Sequence, residues 1–285
     1  MKLWIATLCT SCSTPLVFTC ETSPQCDLES QRGVCEPGGA CSLRDDACPE
    51  GRRYVDHAPP DLASRCVEYG GLVGHWKFDD GFGGMAADAS GLDNVGYLAR
   101  GPVWTTGISD GALGFDGTDD IVEIPTISTF GTASFSTFVW VKSSDRSFLQ
   151  ARVIGAAFVN GYWFVNFGNG VPELEAYDSL HDFWGVSVNP GTNVADDRWH
   201  HLGFVVDREH GESRMYLDGA FQRRETHTST GDFGIDPATS SGLRIGGQNE
   251  TPTLAIAATI DEVRMYTSAL DDAAARAVFD ADAPR

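Results

Sequence analysis

Between positions 159 and 190 the chain gathers Tyr162, Trp163, Phe164, Phe167, Tyr177, His181, Phe183 and Trp184 around Asn166. Aromatic rings offer flat apolar surface and polar groups beside them bond hydroxyls, a combination suited to a sugar ring. Alternation along a strand at 162–167 puts Trp163, Val165 and Phe167 on one face and Tyr162, Phe164 and Asn166 on the other. In the same way Trp184, Val186 and Val188 oppose Phe183 and Ser187. With the all-apolar set as core, Tyr162, Asn166 and Phe183 point to an outer face or its rim. Tyr177, His181 and Trp184 join them as candidate ligand contacts. The plainer alternative is that these aromatics pack a core beneath a covering loop.

Two other groups have reactive side chains. His200 and His201 lie in the run Trp199–Val206, and no Gly-x-Ser-x-Gly elbow or His-Glu-x-x-His helix accompanies them. Packing and hydrogen bonding is their reading, and no residue is assigned a catalytic role. All 8 cysteines precede residue 67. Of these, Cys20, Cys26, Cys35, Cys41, Cys48 and Cys66 can form disulfides, with the pairing left open. Zinc is the weaker alternative, because residues 20–68 hold no Cys-x-x-Cys pair and His57 is their one histidine.

The elements that must position these groups divide the 285 residues into two economies. Residues 1–19 read as an export leader, too short and too interrupted to span a membrane, with Cys12 or Cys20 able to carry a lipid anchor. Residues 20–68 are rich in turn formers and nearly free of apolar periodicity, so disulfides replace a core. From residue 71 to 285 alternation is continuous. Strands are expected around Leu72–Phe78, Phe135–Val141, Val153–Phe158 and Ala257–Tyr266, and a helix after the N-cap Asp271. The central hairpin runs from Trp199 to Leu217. Its first strand carries apolar side chains on both faces, so it should be covered on both sides, inside a two-layer sandwich.

The hairpin's Trp199-His200-His201, followed by alternating apolars and Tyr216-Leu217-Asp218-Gly219, resembles laminin G-like domains of the concanavalin A-like lectin/glucanase superfamily. Further matching phrases are His75-Trp76 through Asp79, Gly111-Ala112-Leu113-Gly114-Phe115-Asp116-Gly117 and Ile260-Asp261-Glu262-Val263-Arg264-Met265-Tyr266. The resemblance covers about residues 71–280. Residues 20–68 are similar to short cysteine-rich segments that precede domains in bacterial surface proteins. The implied fold is all-β, an antiparallel two-sheet jelly roll with a short C-terminal helix. Many such domains hold a structural calcium ion. Carried over, its ligand is Asp261, with Asp79 and Asp88 as nearby acids; the alternative is that Asp261 and Glu262 only fix strand ends. Glucanases of this fold use Glu-x-Asp-x-x-Glu, which is absent; Glu173-Leu174-Glu175 with Asp178 has the wrong order.

With 40 acidic against 20 basic residues, a net charge of −20 repels phosphate backbones and anionic lipid heads, which argues against nucleic acid. The acidity reads as an extracellular surface or, more sharply, as oxygen ligands for calcium. The expectation is a non-catalytic, secreted or cell-envelope module on the bacterial outer surface, without a transmembrane helix. Its partner is expected to be a glycan, or else a surface protein.

Overall fold

The turn-rich N-terminal part forms only short strands: β1 (Gly33–Cys35), β2 (Cys41–Arg44) and β3 (Arg52–Tyr54), paired antiparallel in that order. These belong to a computed structural model describing residues 17–28, 31–125, 127, 130, 133–146, 151–158, 161–189, 191–231, 242–247 and 254–283. Most of the expected leader, including Cys9 and Cys12, lies outside the described residues. Disulfides join Cys20 to Cys35, Cys26 to Cys41 and Cys48 to Cys66. Closing loops of this length contributes about 3 kcal/mol each on the chain-entropy account. Because Cys20 is bonded to Cys35, it has no thiol left for a lipid.

Where alternation becomes continuous, strands follow one another closely. They are β4 (Leu72–Trp76), β5 (Met85–Ala86), β6 (Gly96–Ala99), β7 (Val103–Thr106), β8 (Gly111–Asp116), β9 (Ile121–Ile124), β10 (Phe135–Lys142) and β11 (Ala151–Phe158). Then come β12 (Gly161–Gly168), β13 (Val171–Tyr177), β14 (Phe183–Ser187), β15 (Trp199–Asp207), β16 (Glu212–Leu217), β17 (Ala220–Thr226), β18 (Leu243–Ile245) and β19 (Ala257–Tyr266), before helix α1 (Asp272–Asp282). The front sheet runs β14-β13-β12-β11-β18-β9-β6-β5. The back sheet runs β17-β16-β15-β10-β19-β8-β7, with β4 also paired to β19. All the named pairs are antiparallel, as expected for a jelly roll.

Inward-facing residues of both sheets interdigitate as one core that includes Trp76, Phe135, Trp163, Phe167, Trp184, Leu202, Phe204 and Val263. The central strand β15 is covered on both sides, as its sequence requires. Leu202, Phe204 and Val206 enter this core, while Val205 joins Phe138, Tyr216 and Tyr266 beneath Leu270, Ala275 and Val278. The last three lie on or beside α1, whose start is fixed by Asp271 accepting from the Ala274 amide at 2.8 Å.

The rest of the back sheet's outer face meets the cysteine-rich part through buried polar groups. Tyr266 donates to Glu50 at 2.8 Å, and His75 Nδ1 to the Pro49 carbonyl at 2.9 Å. The other His75 nitrogen lies 2.6 Å from Glu262, whose carboxylate is 3.2 Å from Arg264. Arg264 also binds Asp282 of α1, 3.0 Å from Nη2 to Oδ1. Tyr69, at the sequence boundary, donates back to Glu36 at 2.7 Å. Helix and disulfide part thus both lie on the back sheet.

Candidate functional site

Directly paired residues of neighbouring antiparallel strands share a face, so the register defines rows on the front sheet's outer side. One row is aromatic: Tyr162 pairs with Tyr177, and Tyr177 with Phe183. Ring centroids are 5.2 Å apart at both steps. The next row runs Tyr97, Glu123, Arg244, Gly155, Phe164, Glu175, Gly185. A third runs Arg152, Asn166, Glu173, Ser187.

Glu175 knits these rows together, accepting from the Tyr162 hydroxyl at 2.9 Å and from Asn166 Nδ2 at 3.0 Å. Arg152 places its guanidinium 3.5 Å from the Phe164 ring centroid and 5.8 Å from that of Tyr162, in cation–π contact. Burial and then the Glu175 carboxylate push the Tyr162 phenol up, so it stays a donor; burial holds Arg152 below its ordinary value. Among the described residues, Asn166 Oδ1 and Arg152 Nε and Nη1 are buried without a hydrogen-bond partner. The glycines are structural: a Cβ on Gly155 would lie 2.4 Å from the Phe164 ring, and one on Gly185 2.2 Å from the Phe183 ring. Both rings therefore occupy space over positions without side chains.

Of the residues singled out from sequence, Tyr162 and Tyr177 are half-buried in the aromatic row and Phe183, at its end, is 53% exposed. Asn166 is fully buried and acts beneath the row, through Glu175. His181 lies apart, exposed in the turn after β13 at φ 62°, where its amide donates to the Asp178 carbonyl. Trp184 is a correction: it is 1% exposed and belongs to the core between the sheets. Its indole donates to Asp178 at 3.2 Å and stacks on His227 at 4.4 Å. The alternation that turns Phe183 outward turns Trp184 inward. Sequence reasoning missed Arg152, put Phe164 on this face without naming it a ligand contact, and weighed Glu175 only as part of a glucanase-like run. The signals were a lone arginine in an apolar strand, and Glu173 and Glu175 alternating with buried Leu174 and Ala176.

The acids considered for calcium do not converge. Among the described residues, the carboxylates of Asp79, Asp88 and Asp261 are not a set lying within 4.8 Å of one another. Both Asp88 oxygens are occupied, by the amides of His75, Ser90 and Asn94 and the Ser90 hydroxyl. Asp261 accepts from the amides of Ile108, Ser109 and Glu262, and Asp79 from that of Gly111, so both hold the turn at 107–111. Burial, then Glu262, push Asp261 up to about 9 against these three donors, and burial pushes Asp79 to about 6. Calcium requires six to eight oxygens, and this trio does not fit it. Asp116, Asp119 and Asp120 do cluster, at the turn between β8 and β9, where Asp116 and Asp120 accept backbone amides.

His200 bonds Asp218 at 3.0 Å and Asp196 at 3.2 Å. His201 is fully buried between Phe138, Trp140 and Phe279, and among the described residues neither ring nitrogen finds a hydrogen-bond partner.

Comparison with known proteins agrees with this architecture. A laminin G-like family model, described as concanavalin A-like lectin/glucanases superfamily, matches residues 116–275. No curated protein matches. Among solved structures, the binding domain of paraclostridial mosquitocidal protein 1 superposes with a TM-score of 0.62 at 10% identity, covering 73% of this chain and 52% of that one. Domain 4 of an extracellular arabinanase from Geobacillus stearothermophilus, in complex with arabinotriose, gives 0.58 at 20% identity, covering 74% and 99%. The botulinum neurotoxin D ligand-binding domain in complex with N-acetylneuraminic acid gives 0.57 at 15%, covering 74% and 50%. The chain thus spans about half of the toxin domains and nearly all of the arabinanase domain. At these identities the likeness is one of fold. Two antiparallel sheets in jelly-roll order, and a family match over more than half of its length, show that the chain belongs to the laminin G-like branch of the concanavalin A-like lectin/glucanase superfamily.

Proposed function

We propose that the chain is a non-catalytic binding module of the secreted or cell-envelope space whose ligand is a glycan lying across the front sheet. The observation that carries this is the row Tyr162, Tyr177, Phe183, one ring per strand at 5.2 Å steps, braced from below by Glu175 and Arg152. Flat rings with hydrogen-bonding groups beside them suit sugar faces and hydroxyls. Fold neighbours solved with arabinotriose and with N-acetylneuraminic acid support the reading. Disulfides imply an oxidising compartment, and among the described residues no helix is long and apolar enough to cross a membrane. A lipid on Cys12 is the remaining form of the proposed anchor. Glu175 is committed to Tyr162 and Asn166, which supports binding rather than glycoside hydrolysis.

A glycan array probed with the full chain tests this. Tyr162→Ala and Tyr177→Ala should each weaken the best ligand about tenfold, a loss of about 1.4 kcal/mol. Unchanged binding in both variants would refute the assigned face. The second reading, a surface-protein partner, draws on Phe82, Met85, Leu92, Tyr97 and Val103, large apolar residues exposed within one stretch of sequence. An array with no glycan bound would favour it.

A further inference from the structure

The aromatic row ends at Phe183, and beyond it the edge strands of the two sheets enclose a cleft of about 340 Å³. Glu173 of β13 and Phe183, Gly185 and Ser187 of β14 line one side; Arg223, Glu225 and Thr226 of β17, with His227, line the other. This volume is at the small end for small-molecule sites.

The cleft is held in shape from several directions. Gly185 leaves room for the Phe183 ring, since a Cβ there would meet it at 2.2 Å. His227 stacks on Trp184 at 4.4 Å and lies 2.7 Å from the Ser213 hydroxyl, and the stack ties the β17 side to β14. Burial holds this imidazole below its ordinary value, so it is uncharged at neutral pH. Arg223 is paired with Glu225 at 2.6 Å. The lining therefore offers an aromatic face, two hydroxyls, an internally paired arginine and carboxylate oxygens.

We infer that this cleft is a second sugar subsite, continuous with the aromatic row, which takes one neutral monosaccharide unit of the bound glycan against Phe183. The inference rests on the glycan reading of the front sheet. A sugar's hydroxyls can donate to Glu173 and Glu225 and exchange hydrogen bonds with Ser187 and Thr226. A sugar bearing a carboxylate would meet a lining with two carboxylates, Glu173 and Glu225, against the one Arg223, so the cleft selects neutral over acidic units.

The test uses the full chain, neutral oligosaccharides of increasing length, and sialylated glycans as the acidic comparison. Ser187→Trp and, on the exposed opposite side, Thr226→Trp both fill the cleft and leave Tyr162 and Tyr177 in place. Each should weaken the longer neutral oligosaccharides about tenfold and erase the gain in affinity with length, whereas Tyr177→Ala should weaken every length. Unchanged binding by both tryptophan variants alongside loss in Tyr177→Ala overturns the subsite and leaves the glycan face standing. Preference for sialylated glycans overturns the neutral selectivity, and a wild type that binds neither class overturns both proposals.

Discussion

Phe183 and Trp184 adjoin in sequence and differ wholly in role. Trp184→Ala should cost about 3–5 kcal/mol, the usual range for emptying a buried aromatic site, read as a lower denaturation midpoint in urea. Phe183→Ala should leave that midpoint nearly unchanged and lower glycan affinity instead; a large midpoint shift would mean that the ring is structural. His201 makes a pH prediction at the same scale. Burial lowers it to about 4, so the folded protein keeps it neutral while the unfolded chain takes up a proton below about 6.5. Its contribution is present above 6.5 and lost as pH falls towards 4, on the order of 3 kcal/mol. Wild type compared with His201→Phe across that window should show this slope, and parallel curves would refute it.

At the scale of elements, β19 organises the back of the molecule. Asp261 secures the 107–111 turn, and Arg264 joins β19 to α1 through Asp282 and faces Glu262. Arg264→Ala strands two buried carboxylates and should cost about 3–5 kcal/mol; a loss below ~1 kcal/mol by chemical denaturation would show that water already screens them. Because Asp261 is satisfied by backbone amides, melts with calcium and with chelator should superimpose. A melting temperature raised by calcium in the wild type but not in Asp261→Asn would restore an ion to these acids.

For the whole molecule, the contacts of Tyr266 with Glu50, His75 with the Pro49 carbonyl and Arg44 with Ser109 and Asp110 join the cysteine-rich part to the sandwich. Unfolding of the full chain should be a single transition, and reducing the disulfides should lower its midpoint without splitting it. Two resolved transitions in calorimetry would show the parts to be independent. The expected boundary near Gly71 marks where disulfides give way to a core, yet the Tyr266–Glu50 hydrogen bond bridges it.

The sequence by itself determined the strands, the two-sided burial of β15, the helix with its Asp271 cap and the family, because these follow from local alternation, turn chemistry and short phrases. It also put Tyr162 and Phe183 on one face, since side-chain direction along a strand has a period of two. Only the tertiary structure decided that Arg152, Phe164 and Glu175 support them, because strand register joins residues far apart in the chain. The same holds for the disulfide pairing and for the cleft between β14 and β17, which are edges of different sheets. Trp184 entered the site reading through its aromatic character; burial between the sheets, a property of packing, removed it.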